Sequence, residues 1–196
     1  MKFRTSLLAF AALLFAALPA LAQSYTIDPA HSEINFSIKH MAIATVRGRF
    51  SLQTGTIVLD EKNPASSSVT AVIDVASVDT GVAQRDGHLK SPDFFDTAKF
   101  PTATFTSHEV KRAGAGFDVI GTLTLHGVSK PVTLHMDAPS KEQIGMDGKP
   151  HRGFSATTTL HRQDFGLNWN GPLKSGDNML GDDVPMTFDI EAIKVQ

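Results

Sequence analysis

The sequence predicts an all-β protein of one domain, built as a closed antiparallel barrel, and three observations support this. Apolar and polar residues alternate with a period of two over most of the chain after residue 22, which is typical of strands with one buried face. Turn-forming Gly, Pro, Asn and Asp residues separate these runs. No internal repeat, linker or low-complexity segment divides the chain. A barrel is favoured over a sandwich because closure removes exposed sheet edges.

The alternation indicates eight or more strands. In the first run Ile34, Phe36 and Ile38 share one face, and polar residues stand between them. Thr and Val are frequent in the runs, which suits a pleated surface. The remaining runs cover residues 46–52, 55–60, 69–75, 103–105, 117–125, 132–136, 154–160 and 184–190.

Three short segments predict the turns that join neighbouring strands. His126-Gly127 separates two alternating runs and indicates a hairpin. Asp147-Gly148 is a strong turn signal, and residues 113–116 contain two glycines. We therefore expect sequential strands to pair as antiparallel hairpins.

Two segments interrupt the strand pattern. Residues 82–97 predict a short helical insertion of one or two helices, with Ser91 before Pro92 placed as an N-cap. Residues 163–183 are rich in Gly and Asn and form a long loop. Long ordered loops in compact domains usually serve a functional site.

Residues 1–22 predict a secretory signal peptide that is cleaved. Lys2 and Arg4 precede the uncharged apolar run at 7–18, and Ala20-Leu21-Ala22 forms a small-x-small cleavage site. The apolar run is shorter than the roughly 20 residues that span a bilayer. The predicted domain is therefore 23–196, with 16 Lys and Arg against 20 Asp and Glu and a net charge of −4.

Composition excludes several classes of function. A mildly acidic domain without a basic cluster has no electrostatic footprint for nucleic acid. The absence of cysteine excludes disulfides and thiol chemistry. The eight histidines do not follow metal-ligand spacings, and no nucleophile elbow or phosphate-binding glycine loop is found. We expect no metal site, no covalently bound cofactor and no enzymatic activity.

Several motifs together resemble the YceI-like family of polyisoprenoid-binding proteins. The most specific are RDGHLKSPDFFD at residues 85–96 and GTLTLHGVSKPV at 121–132. YTIDPAHS at 25–32 and RQDFGL at 162–167 are also similar to family segments. The matching segments follow the expected order over nearly all of the chain after residue 22.

The resemblance implies an extended, eight-stranded, lipocalin-like barrel that encloses a tunnel for an isoprenoid lipid or quinone. It also implies a periplasmic location and, in some members, induction by stress. Arg85 and His88 are the candidate head-group residues at the tunnel mouth. The candidate tunnel residues are Phe36, Ile38, Phe50, Leu52, Phe94, Phe105, Phe154, Phe165, Trp169, Met186 and Phe188.

Small residues on the inward faces of the strands predict a channel rather than a packed centre, because they thin the core. They are Gly48, Ala71, Ala103, Gly121 and Ala156. Phe supplies 13 of the 15 aromatic residues, and it suits a dry tunnel because it has no polar tip.

Several alternatives stay open at the level of sequence. A filled barrel would instead present the 163–183 loop to a partner, and a less favoured reading is an enzyme acting on prenyl substrates. A structural role is favoured over a head-group role for Asp86 and His88, and both roles stay open for Arg85. Trp169 either lines the entrance or pins the loop to the outer wall of the barrel. The oligomeric state is open between a monomer and a homodimer.

Overall fold

The computed structural model describes residues 22–195, which form one antiparallel sheet and one short helix. Helix α1 is Ala83–Lys90. The predicted signal peptide lies outside the described residues except for Ala22. Strands β1 to β10 are, in chain order, Gln23–Ile27, Glu33–His40, Ala44–Leu59, Ser68–Asp79, Thr102–Ala113, Gly116–Leu125, Val128–Met136, Gln143–Ile144, Pro150–His161 and Asp183–Lys194.

The sheet closes into the predicted eight-stranded barrel. The ring runs β2-β3-β4-β5-β6-β7-β9-β10 and returns to β2. Strand β1 lies end to end with β2 between the same two neighbours, β10 and β3. The two strands therefore occupy one position in the ring. A 3-10 turn at Pro29–His31 separates them, because Pro29 cannot donate to the ladder. The two-residue strand β8 pairs with β9 and is not part of the ring.

Hairpin turns join the strands where the sequence predicts them. His126 and Gly127 both have positive φ, 52° and 75°. This is the conformation of a type I′ turn, whose twist matches that of paired strands. Gly114 has a φ of 58° in the β5–β6 turn.

Strand β3 is longer than the alternation indicates. The sequence divides it into runs at 46–52 and 55–60, yet it forms one strand of 16 residues. The pairing with β4 shifts register between Leu52 and Thr54, so the buried residues change from Phe50 and Leu52 to Ile57 and Leu59. A β-bulge of this kind bends the strand and reverses which parity faces inward.

The helical insertion contains one α-helix, and the second segment forms turns. Ser91 is not the N-cap of a second helix but the C-cap of α1; its hydroxyl accepts the Asp93 amide at 3.3 Å and donates to the His88 carbonyl at 2.8 Å. The long loop forms as expected, with a 3-10 turn at Arg162–Phe165 and no long strand before Asp183. Within residues 22–195 no helix is long and apolar enough to cross a membrane.

The two ends of the barrel differ in what covers them. We call one end the mouth, where the connections at 41–43, 80–101, 126–127 and 162–182 meet. The opposite end, with the connections at 60–67, 114–115 and 137–149, is called the closed end. Helix α1 and the long loop both lie at the mouth.

Candidate ligand cavity and its mouth

The barrel interior holds a cavity of about 400 Å³. This volume falls in the range of ligand pockets, about 300 to 1,000 Å³. All strands of the ring contribute apolar side chains to its wall. The polar lining residues are His40, Thr80, Arg85, His88, Thr158 and Arg162. All of them except Thr158 belong to segments that end at or cover the mouth.

The central side chains do not meet across the barrel axis. Phe36, Leu134 and Phe188 line the cavity, yet each is only half-buried. Their remaining accessible surface therefore faces the interior void. Protein cores are normally packed to crystal-like density, so a void of this size with an apolar wall is suited to a guest molecule.

The structure brings together every residue that the sequence proposed for the site. The predicted tunnel residues Phe36, Ile38, Phe50, Leu52, Phe94, Phe105, Phe154, Phe165, Trp169, Met186 and Phe188 all line this cavity, as do Arg85 and His88. That these side chains contact a ligand stays a prediction.

The expectation about small residues is right for the alanines and wrong for the glycines. Ala71, Ala103 and Ala156 line the cavity. A Cβ atom on Gly48 would lie 2.5 Å from the Phe36 ring, and one on Gly121 would lie 2.5 Å from the Phe105 ring. These aromatic rings occupy the space beside the glycines. The glycines therefore make room for the rings and do not widen the channel.

Packed aromatic residues fill the closed end. Tyr25 is fully buried and meets Phe154 edge-on, with ring centroids 5.6 Å apart. The Tyr25 hydroxyl donates to Glu142 at 2.6 Å, and Lys194 binds the same carboxylate at 3.1 Å. Burial, together with Glu142, raises the pKa of Tyr25 above its usual value. Leu59, Val110 and Phe117 are also buried at this end and do not line the cavity.

At the mouth, Arg85 is held by neutral acceptors. Its Nε donates to the Thr80 hydroxyl at 2.7 Å, and Nη2 donates to the Thr80 carbonyl at 2.9 Å. Among residues 22–195 no carboxylate forms an ion pair with it. Asp86 instead accepts the Thr80 amide at 2.9 Å and the Thr80 hydroxyl at 2.5 Å. Asp86 therefore has the structural role, and it positions the residue that orients Arg85.

An aromatic cluster joins the helical insertion to the long loop. Trp169 lies 5.1 Å from Phe94 and 5.4 Å from His88 between ring centroids. His88 also contacts Phe94 edge-on at 5.0 Å and pairs with Asp93 at 3.0 Å. Trp169 thus lines the entrance and also fixes the loop, but it fixes the loop to the insertion rather than to the outer wall.

Arg162 is a cavity residue that the sequence analysis did not propose. Its side chain is 5% exposed and lines the cavity. It donates to the carbonyls of Gly181 at 3.0 Å, Trp169 at 2.9 Å and Leu167, and it pairs with Asp182 at 3.0 Å. All three nitrogen atoms of this buried guanidinium donate to acceptors in one loop, and these hydrogen bonds hold that loop in place. The sequence signals were its place directly after a strand at the start of a long loop and its position at the start of the family-like segment RQDFGL.

The chain is similar in sequence to proteins of a known family. The model of the YceI-like domain matches residues 25–192. The chain belongs to the YceI-like family. It is 44% identical over 162 residues to protein YceI of Escherichia coli O17:K52:H18, covering 82% of this chain and 84% of that protein.

Several solved structures share this fold. BcnA of Burkholderia cenocepacia superposes with a TM-score of 0.71 at 26% identity, covering 84% of this chain and 98% of that one. A polyisoprenoid binding domain from Saccharophagus degradans, implicated in plant cell wall breakdown, superposes with a TM-score of 0.59. It is 21% identical and covers 87% of this chain and 98% of that domain, so this likeness concerns the fold.

Proposed function

We propose that this protein binds the chain of an isoprenoid lipid in its barrel and serves as a periplasmic carrier or store. The ligand class is a polyprenyl alcohol, a polyprenyl phosphate or a quinone. The observation that carries the proposal is the apolar-walled cavity of about 400 Å³ whose polar lining is concentrated at one end. An apolar chain with one polar terminus has the matching distribution of polarity.

The energetics of such a complex are favourable. Burial of one CH₂ group contributes roughly 0.8 kcal/mol. A five-carbon isoprene unit therefore contributes about 3 to 4 kcal/mol when it leaves water. A few units offset the ordering cost of association, which is on the order of 4 to 15 kcal/mol. Affinity then comes from the chain, and the mouth selects the head group.

Arg85 is the proposed head-group residue. Two of its N–H groups are bound by Thr80, and a guanidinium carries five. The remaining donors and the positive charge suit a phosphate or a quinone oxygen at the cavity mouth. His88 lines the same region, and its ring edge contacts Trp169.

Family membership and the predicted signal peptide support the remaining parts of the proposal. The polyisoprenoid binding domain from Saccharophagus degradans has the same fold. The predicted export signal at residues 1–22 motivates the periplasmic location, and the family resemblance motivates a role in stress. A filled barrel that only presents its loop is disfavoured by the cavity. We propose binding rather than catalysis, because Asp86 and His88 are engaged by Thr80 and Asp93.

Direct analysis of bound lipid tests this function. The protein is purified from the periplasm of its native host, extracted with organic solvent and analysed by mass spectrometry. We expect a prenyl lipid in near-stoichiometric amount, and much less of it in an Ala156→Leu variant that narrows the cavity. Repeated recovery of no prenyl lipid, or equal recovery from both proteins, contradicts the proposal.

A further inference from the structure

The motif at residues 25–32 contains polar residues that the lipid cavity does not use. Asp28 and His31 lie on the turn between β1 and β2, on the outside of the barrel, and neither lines the cavity. Glu191 of β10 lies beside them.

Hydrogen bonds from the backbone and from the Ser32 side chain join the turn to β10. The Asp28 amide donates to the Glu191 carbonyl at 2.8 Å. The Ser32 hydroxyl donates to that carbonyl at 3.2 Å and accepts the Glu191 amide at 3.1 Å. Asp28 also caps the turn by accepting the Ala30 amide at 2.9 Å. The three side chains consequently start from fixed backbone positions.

The ligand atoms of the three residues converge. One carboxylate oxygen of Asp28, one of Glu191 and one imidazole nitrogen of His31 all lie within 4.8 Å of one another. The closest pair is Asp28 Oδ2 and His31 Nδ1 at 2.8 Å. Among residues 22–195 this is the one group of three or more potential metal-ligating side chains with this geometry.

A second layer of polar residues orients the third ligand. His151 Nδ1 lies 2.6 Å from Glu191 Oε1, and His151 Nε2 lies 2.9 Å from Asp147 Oδ1. The His151 side chain is mostly buried. Metal-binding carboxylates and histidines in proteins are typically supported by outer hydrogen bonds of this kind.

We propose that Asp28, His31 and Glu191 bind a divalent transition-metal ion of the Zn²⁺ class on the outer wall of the barrel. One imidazole and two carboxylates are ligands that zinc accepts, and three protein ligands leave a position for water. The two carboxylates balance the charge of the cation. The site is independent of the proposed lipid function.

Other exposed His–Asp pairs provide the matched control. His135 pairs with Asp118 at 2.8 Å, the distance found between His31 and Asp28. Both imidazole side chains are 65% exposed. The pair at His135 differs in lacking a third ligand among the described residues, so comparison of the two separates a chelating site from a simple pair.

Isothermal titration of the EDTA-stripped protein with Zn²⁺ tests the site. We expect one site whose affinity falls at least about tenfold in His31→Ala and in Glu191→Gln. His135→Ala is expected to bind like the unmodified protein, and His151→Gln to show a smaller loss. Circular dichroism of each variant verifies the fold.

Two results overturn the proposal. One is the absence of a saturable zinc site in the unmodified protein. The other is an equal loss of affinity in His31→Ala and His135→Ala, which would indicate scattered binding to surface histidines. If Glu191→Gln alone fails to fold, Asp28→Asn gives the same comparison.

Discussion

The closed end and the mouth of the barrel are built from the same strands, but side chains fill the closed end and surround an opening at the mouth. At the closed end, the fully buried Tyr25 packs against Phe154 edge to face and does not itself line the cavity. At the mouth, Phe94 and Trp169 also contact each other, but both line the cavity. Aromatic residues therefore seal the interior at one end and surround an opening at the other.

Arginine residues differ in whether a carboxylate pairs with them. Arg152 near the closed end pairs with Glu61 at 2.6 Å, and Arg162 pairs with Asp182. Arg85, which like Arg162 lies at the mouth, has only the two oxygen atoms of Thr80 as acceptors within the described part of the chain. Paired arginines stabilise the structure, whereas a cation without an anionic partner is suited to an anionic ligand. This difference is the reason for proposing Arg85 as the head-group residue.

The largest effect is expected from Tyr25→Ala. Removal of a fully buried aromatic side chain leaves a cavity and costs about 3 to 5 kcal/mol of unfolding free energy. Trp169→Ala at the mouth should cost less, because Trp169 is only half-buried. Urea denaturation of both variants measures this, and equal losses would remove the distinction between the two ends.

Leucine substitutions at two small residues sharpen the comparison of filled and hollow regions. Gly121→Leu should destabilise the protein by at least about 1 to 3 kcal/mol, because its Cβ would meet the Phe105 ring at 2.5 Å and the Thr106 carbonyl at 2.6 Å. Ala156→Leu should instead remain stable and lose lipid, because Ala156 lines the cavity. Thermal unfolding and lipid titration distinguish the outcomes. The account fails here if Ala156→Leu unfolds as readily as Gly121→Leu.

Arg85→Gln tests the charge at the mouth. We expect affinity for a polyprenyl phosphate to fall about tenfold, or about 1.4 kcal/mol, through loss of a charge-assisted hydrogen bond. Affinity for the corresponding polyprenol should change little. Lys90→Gln on the same helix is the control, since Lys90 does not line the cavity. Equal losses for the phosphate and the alcohol would exclude Arg85 as a phosphate partner.

The smallest effect concerns acid stability at the closed end. The Tyr25 hydroxyl, and then Lys194, hold the pKa of Glu142 below its usual value near 4.5. Because the folded-state pKa is lowered, this interaction stabilises the fold above about pH 4.5 and is lost as the pH falls through the folded-state pKa. Glu142→Gln should therefore be less stable at neutral pH and lose less stability on acidification. Urea midpoints at pH 7 and pH 3.5 measure this; parallel curves would contradict it.

Much of the fold could be predicted from local sequence, because period-two alternation reports directly which strand face is buried. The turn at His126-Gly127 was also predictable from its residue types. The bulge in β3 was not, since the break in the alternation between residues 52 and 55 also fits two separate strands, and only pairing with β4 makes it a bulge within one strand. The role of Ser91 was missed because an N-cap and a serine turn use the same residues.

The candidate site shows a similar limit. Inward-facing residues on strands could be named, because a strand fixes the direction of each side chain. Arg162 could not be assigned, because its hydrogen-bond acceptors are mostly backbone carbonyls of a loop with no regular pattern. Asp28, His31 and Glu191 were not predicted as a group, because Glu191 is distant in sequence and reaches the turn only through barrel closure. Gly48 and Gly121 were misread because alternation does not reveal which ring covers a glycine.

A crystal structure of the protein after loading with a polyprenyl phosphate tests the central claim most directly. The account predicts continuous density for a hydrocarbon chain past Phe188 and Ala156, with the head group near Arg85. A barrel whose central side chains close the void and whose interior contains no hydrocarbon would contradict it.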